Sequence, residues 1–327
     1  MVSGSTGYAF LGWQGWGLEH PADWELTRVR GSRRESYLAL DDGERIRLEM
    51  SWKPVRRKLP LEKLVEKQVK AVELAARGRK LDVRIRRRQG IRRLAGFQYE
   101  CFTWQTGVPK RGVPKPDEVG LGSPESRLGA PDVGSCELVA RCRDCGRVIL
   151  LRVVGDKDRP PMEEARRVFA SLTCYSGKEF ERWGTFGLDV KVPAGFELEG
   201  SSLRTGMCEL VFSDRRTELH VMRVSLGRAI LERQKMVAWY ESVASQLLKP
   251  FVVTWSERPF RFHIGHAGVG EVRTRYRLMS VFRSTRKLSV RLFYCEPMDK
   301  IFVVAADGSG DVDKVVETAL EGLVCHR

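Results

Sequence analysis

The residues of this chain with the clearest chemical potential are its cysteines. Cys142-Arg-Asp-Cys145-Gly146 has the spacing of a thiolate pair for metal binding or redox exchange, and Cys174 follows it at some distance. A closed structural zinc site takes four ligands, and the surrounding stretch offers neither a second Cys-x-x-Cys nor a histidine. The motif also does not open a helix, where a thiolate would be stabilised for thiol–disulfide exchange. Where the pattern would recur, the chain reads Cys295-Glu-Pro-Met298, with the second thiol gone. The expectation is therefore no metal and no cofactor.

The same cysteines suit one another better. Cys142 corresponds to Cys295 before a last strand, and Cys174 to Cys325 after a last helix, at separations of 32 and 30 residues. A closing helix that packs back across its sheet would bring each pair together. Cys142–Cys174 and Cys295–Cys325 are thus disulfide candidates, with free buried thiols as the alternative. A bridge closing such a loop would contribute about 2–4 kcal/mol.

Other catalytic chemistry is not signalled. The chain has five histidines; His263 and His266 flank Ile264-Gly265 in a turn-like stretch and have no counterpart in the first half, so they read as incidental. There is no Gly-x-Ser-x-Gly elbow, no phosphate-binding Gly-x-x-x-x-Gly-Lys loop and no His-Glu-x-x-His helix. A non-catalytic binding protein is expected.

The elements that must carry these residues occur twice. Trp16-Gly-Leu-Glu-His-Pro-Ala-Asp-Trp-Glu-Leu is matched by Phe186-Gly-Leu-Asp-Val-Lys-Val-Pro-Ala-Gly-Phe-Glu-Leu, and an offset of 172 residues joins Leu26 to Leu198, Leu40 to Phe212 and Gly96 to Gly268. In the first copy, 36–40 and 45–52 read as strands around Asp41-Asp42-Gly43, and in the latter Ile46, Leu48 and Met50 alternate with Arg45, Arg47 and Glu49. Pro60 then opens a helix with Leu61, Leu64, Val65, Val69 and Val72 on one stripe, ending near Gly78. Residues 81–86 and 97–104 are further strands. The second copy repeats the order, with strands at 209–212 and 218–224, one helix over about 229–248, and strands at 252–257, 268–278, 287–294 and 301–305. Helices at 161–172 and 312–323 close the copies. The expected class is α+β: two homologous α/β/α sandwich domains, 1–176 and 184–327, joined by a linker at 177–183. Residues 105–135, with five prolines and six glycines, form an insertion that the second copy lacks.

Gly-Leu before Pro-x-x-aromatic-x-Leu in the first hairpin, and a final helix ending Ser171-Leu172 or Gly322-Leu323, resemble the PsbP-like fold group, which includes the PsbP subunits of photosystem II and Ran GTPase release factors. The resemblance covers roughly 8–174 and 184–325. It implies an α/β/α sandwich used as a binding module and carries over no catalytic residue.

Charge is the strongest functional signal. The 327 residues carry a net +15, and residues 53–93 alone hold 16 basic and 4 acidic side chains. Arg56, Arg57 and Lys58 precede the first helix. Lys63, Lys67 and Lys70 occupy its solvent side, and Arg84, Arg86, Arg87, Arg88, Arg92 and Arg93 follow on the next strand and loop. The matching region of the second copy, about 225–265, is much more nearly balanced, so the fold does not require this charge. One continuous basic face for nucleic acid or a ribonucleoprotein surface is expected, an acidic protein partner being the alternative.

Asparagine is absent and arginine (41) far outnumbers lysine (16). This composition fits a hyperthermophilic, archaeal source. No apolar run approaches a membrane span, and no signal-like segment opens the chain, so a cytoplasmic protein without membrane partners is expected.

Overall fold

The computed structural model describes residues 7–53, 55, 59–91, 93–106, 134–155, 161–204, 206–273 and 286–326. The chain divides into two compact units, Met1–Leu11 with Gly15–Gly177, and Gly12–Gln14 with Lys178–Arg327. Both are α+β, built on antiparallel sheets.

The first part of the chain runs β1 (Tyr8–Trp13), β2 (Trp16–Pro21), β3 (Glu25–Gly31), β4 (Ser36–Asp41), β5 (Ile46–Lys53), α1 (Leu61–Gly78), β6 (Val83–Arg86), β7 (Phe97–Thr106), β8 (Gly134–Cys142), β9 (Val148–Val154), α2 (Met162–Ala170) and β10 (Thr173–Cys174). Seven strands form one sheet in the order β3-β4-β5-β9-β8-β7-β6. Helix α1 begins after Pro60 and buries Val65, Val72 and Ala76, one stripe at helical spacing. The two valines pack on Phe102, Trp104 and Val139.

A polar tie fixes the same helix. Gln68 donates to the Glu137 carboxyl at 3.1 Å, and the Trp104 indole donates to it at 2.7 Å. Burial pushes the Glu137 carboxyl up from the usual range, with Arg152 and these two hydrogen bonds pulling against it. Strand alternation sends Cys136 to the opposite face, where its sulfur lies 3.5 Å from Met162 of α2. One helix therefore covers each face of the sheet.

The second part runs β11 (Phe180–Thr185), β12 (Leu188–Pro193), β13 (Glu197–Arg204), β14 (Met207–Ser213), β15 (Thr217–Ser225), α3 (Gly227–Arg233), α4 (Met236–Val243), α5 (Ser245–Leu248), β16 (Phe251–Glu257), β17 (Gly265–Val272), β18 (Lys287–Cys295), β19 (Lys300–Gly308) and α6 (Val312–Glu321). Its seven-stranded sheet has the order β13-β14-β15-β19-β18-β17-β16, position for position that of the first. Met236, Trp239, Tyr240 and Leu248 pack on Val290, Leu292 and Val303 on one face. On the other face Arg291 reaches Glu317 of α6 at 2.7 Å.

Two local irregularities also recur. Gln14-Gly15 and Phe186-Gly187 both turn their hairpins with positive φ at both residues, 49° and 83° against 48° and 71°, as a type I′ turn demands. A bulge falls between Leu26 and Arg28 in β3 and between Leu198 and Gly200 in β13, next to the facing pairs Leu26–Leu40 and Leu198–Phe212.

Some expectations change. The stretch 229–248 is three short helices, because Gln234 adopts an extended conformation (φ −159°, ψ 158°) and the chain bends again at Ala244. Strand β11 begins at Phe180, inside the expected linker. Of the insertion 105–135, the ends belong to β7 and β8, and 107–133 lie outside the described residues. No described helix is long and apolar enough to cross a membrane.

Candidate functional site

The basic side chains are placed by the periods of the elements that carry them. Because α1 turns Val65 and Val72 inward, Lys63, Lys67 and Lys70 stand exposed on its outer stripe. On edge strand β6, Val83 and Ile85 face α1, so the period of two turns Arg84 and Arg86 to the opposite face of the sheet, both exposed. The lysines and these two arginines are therefore not one continuous face. They form two groups separated by the edge of the sheet.

Arg87 returns to the α1 side, where its guanidinium donates to Glu100 at 2.8 Å, and that hydrogen bond holds its pKa above the ordinary value. Arg88 is exposed in a left-handed conformation (φ 53°) and Arg93 is exposed. Arg56, Arg57, Lys58 and Arg92 lie outside the described residues.

The second unit's edge strand makes the comparison direct. On β16 the alternate positions Val252, Thr254 and Ser256 are exposed where the first unit has arginines, and Glu257 is exposed at the strand's end. The fold accepts neutral side chains there.

The second cluster of chemical groups lies at the end of β18. Cys295 ends that strand, Cys325 and His326 follow α6, and His263 lies in the β16–β17 connection. His263 is pinned by reciprocal backbone hydrogen bonds with Phe260, at 2.9 and 3.1 Å, and its ring stacks on Phe293. The Cys325 sulfur is 3.3 Å from His263 Nε2 and 3.3 Å from His326 Nδ1, and the Cys295 sulfur is also 3.3 Å from His326 Nδ1. Burial lowers the pKa of His263, with neighbouring His326 and Arg261 acting the same way. Burial also pushes the Cys295 thiol up.

The first unit has a thiol cluster at the matching corner. Cys142 ends β8, Cys145 sits in the turn that follows, and Cys174 lies in β10 after α2. The turn is closed by the Gly146 amide, which donates to the Cys142 carbonyl at 3.0 Å. The sulfurs of Cys145 and Cys174 are 3.7 Å apart. The Cys174 thiol and the Arg147 amide favour the Cys145 thiolate, while the Cys174 proton is held more tightly in return.

All eight cysteines are free thiols. Cys142–Cys174 and Cys295–Cys325, expected as bridges, are not disulfides in this structure. Each pair shares its corner with further ligand groups, Cys145 in one case and His263 with His326 in the other. From the sequence His263 reads as incidental, whereas the structure buries it in this cluster, and His326 is not singled out there. His263 is separated from Cys325 by 62 residues, and the available signal was the adjacency of Cys325 and His326 beside a recurring cysteine pair. His266 lies in β17, outside the cluster.

No family model matches the sequence, and no curated protein matches it. Among solved structures, the apo structure of immunity protein TplEi of T6SS from Pseudomonas aeruginosa aligns over 97% of both chains at 8% identity, with a TM-score of 0.35. An N-terminal dehydratase from the difficidin assembly line aligns over 84% of this chain and 98% of its own at 10% identity, with a TM-score of 0.16. At these scores neither likeness bears on fold family or function.

Proposed function

We propose that the chain is a tandem duplication of one PsbP-like domain, acting as a non-catalytic, cytoplasmic binding protein whose first unit holds nucleic acid or a ribonucleoprotein surface. The duplication is supported by the shared strand order, the paired type I′ turns and the paired bulges. The binding reading is carried by one observation. Equivalent edge strands present Arg84 and Arg86 in one unit and Val252, Thr254 and Ser256 in the other, so the positive charge is not needed to build the fold.

Lysines and arginines that neutralise several phosphates together release counterions, which makes binding steeply salt-dependent. The two basic groups act separately, because they lie on opposite sides of the sheet edge. The full chain, titrated with a generic fluorescent duplex across a salt series, should give a log–log slope of several units. Lys63→Glu/Lys67→Glu/Lys70→Glu and Arg84→Glu/Arg86→Glu each test one group, and whichever faces the phosphates should lower the slope by about 2–3 units for the lysines or about 2 for the arginines. Binding that ignores salt, or that neither variant alters, contradicts the reading. Retention of an acidic protein by the same surface, with no nucleic-acid affinity, would replace it.

A further inference from the structure

His263, Cys295, Cys325 and His326 each bring one ligand atom into a space where no two are more than 4.8 Å apart, and all but His326 are buried. Three sulfur–nitrogen contacts of 3.3 Å link the four side chains, with His326 Nδ1 shared between the two sulfurs. A single divalent cation would satisfy all four atoms. In tetrahedral zinc coordination, sulfur and nitrogen ligands stand about 3.5 Å apart and two sulfurs about 3.8 Å apart, near the distances found here.

The backbone around His263 points the same way. Phe262 is fully exposed and Ile264 is 73% exposed, whereas the histidine between them is 8% exposed. Hydrophobic burial would favour the reverse arrangement. The connection is therefore organised around the imidazole and not around its large apolar neighbours.

The third observation is positional. The first unit places Cys142, Cys145 and Cys174 mutually within the same distance limit, also at the end of the first strand of the final hairpin and just after the closing helix. Two different ligand sets thus occupy one corner of one topology. The Cys145–Cys174 spacing of 3.7 Å is that of two thiolates on a shared tetrahedral ion.

We propose that the corner formed by His263, Cys295, Cys325 and His326 binds one zinc ion, and that the Cys142, Cys145 and Cys174 thiolates bind a second at the equivalent corner of the first unit. The mixture of thiolate and imidazole ligands selects zinc over hard cations such as calcium or magnesium. Binding in the second unit releases the two thiol protons and fastens the segment after α6 to the end of β18. In the first unit three protein ligands leave one coordination position to an outside ligand. This inference is independent of the nucleic-acid reading.

The full chain, purified without chelator under reducing conditions, should retain about two zinc ions. Cys295→Ser/His326→Ala and Cys145→Ser/Cys174→Ser should each lower the content by about one. Cobalt titration of the zinc-free wild-type chain provides a readout that does not depend on how the variants fold: a sulfur-to-cobalt charge-transfer band with intense tetrahedral ligand-field bands is expected. Zinc at trace level with no cobalt bands overturns the proposal, as does an intact mass short by the hydrogens of two disulfides. One ion per chain, lost only in Cys295→Ser/His326→Ala, overturns the first-unit site. One ion lost only in Cys145→Ser/Cys174→Ser overturns the second-unit site.

Discussion

The two units share a strand order and differ at the edge strand, the cysteine corner, the helices on one face of the sheet and the start of the closing helix. At the edge, β6 exposes arginines where β16 exposes valine, threonine and serine. At the corner, one unit assembles three thiols and the other two thiols with two imidazoles. The strand order persists while these positions change.

The largest expected effect comes from the corners. A structural zinc ion is worth on the order of 10 kcal/mol of apparent binding energy in small domains at neutral pH. Chelation should therefore lower the melting temperature of the full chain well beyond any single surface substitution, with zinc restoring it. Unchanged melting after complete chelation would show that the corners hold without metal. Next in size is core packing. Phe102 is fully buried beneath α1, and Phe102→Ala should cost about 3–5 kcal/mol in urea denaturation. A loss near 1 kcal/mol would mean that α1 does not depend on this face.

The closing helices offer a smaller contrast. Asp311 caps α6 by accepting from the Lys314 amide at 3.1 Å, whereas α2 starts at Pro161 without a side-chain cap. Asp311→Ala should cost about 1 kcal/mol, and an effect below the error of the measurement would remove the cap from the account.

A pH contrast is smaller still. Burial lowers the His220 pKa, but hydrogen bonds with Glu209 and Glu218 outweigh it and leave the net shift upward. A raised pKa in the folded state contributes stability that is fully present below the unfolded value of about 6.5 and is lost as pH rises through the folded value. His220→Gln should thus be more destabilising at acidic than at alkaline pH, by under about 1 kcal/mol. Equal destabilisation at both would contradict the charged pairing. Least of all, Lys63→Glu/Lys67→Glu/Lys70→Glu should shift folding by only about 0.5 kcal/mol per site or less, because these side chains are exposed.

Elements with one strong period were legible in the sequence. The valine stripe and Pro60 marked α1 closely, and alternation marked β5 and β6. The β1–β2 and β11–β12 turns were not, because Gln14 and Phe186 adopt positive φ without being the Asn, Asp or Gly that usually announce such turns. The break of 229–248 into three helices was hidden for another reason: no glycine or proline marks it, and burial of Met236, Trp239, Tyr240 and Leu248 against the sheet sets the path.

The candidate sites divide similarly. Exposed lysines followed from the helix period, whereas their separation from Arg84 and Arg86 required knowing which face of β6 the helix covers. The four-ligand corner depends on a connection, a strand end and the segment after a helix meeting in space, a coincidence that no local spacing records.

The central claim is that one fold carries the same corner twice, fitted with different ligands. Anomalous scattering from crystals of the full chain, collected above and below the zinc absorption edge, tests it most directly. Two peaks are predicted, one among the sulfurs of Cys142, Cys145 and Cys174 and one among His263, Cys295, Cys325 and His326. Absence of both peaks, with Cys142–Cys174 and Cys295–Cys325 closed into disulfides, would contradict it.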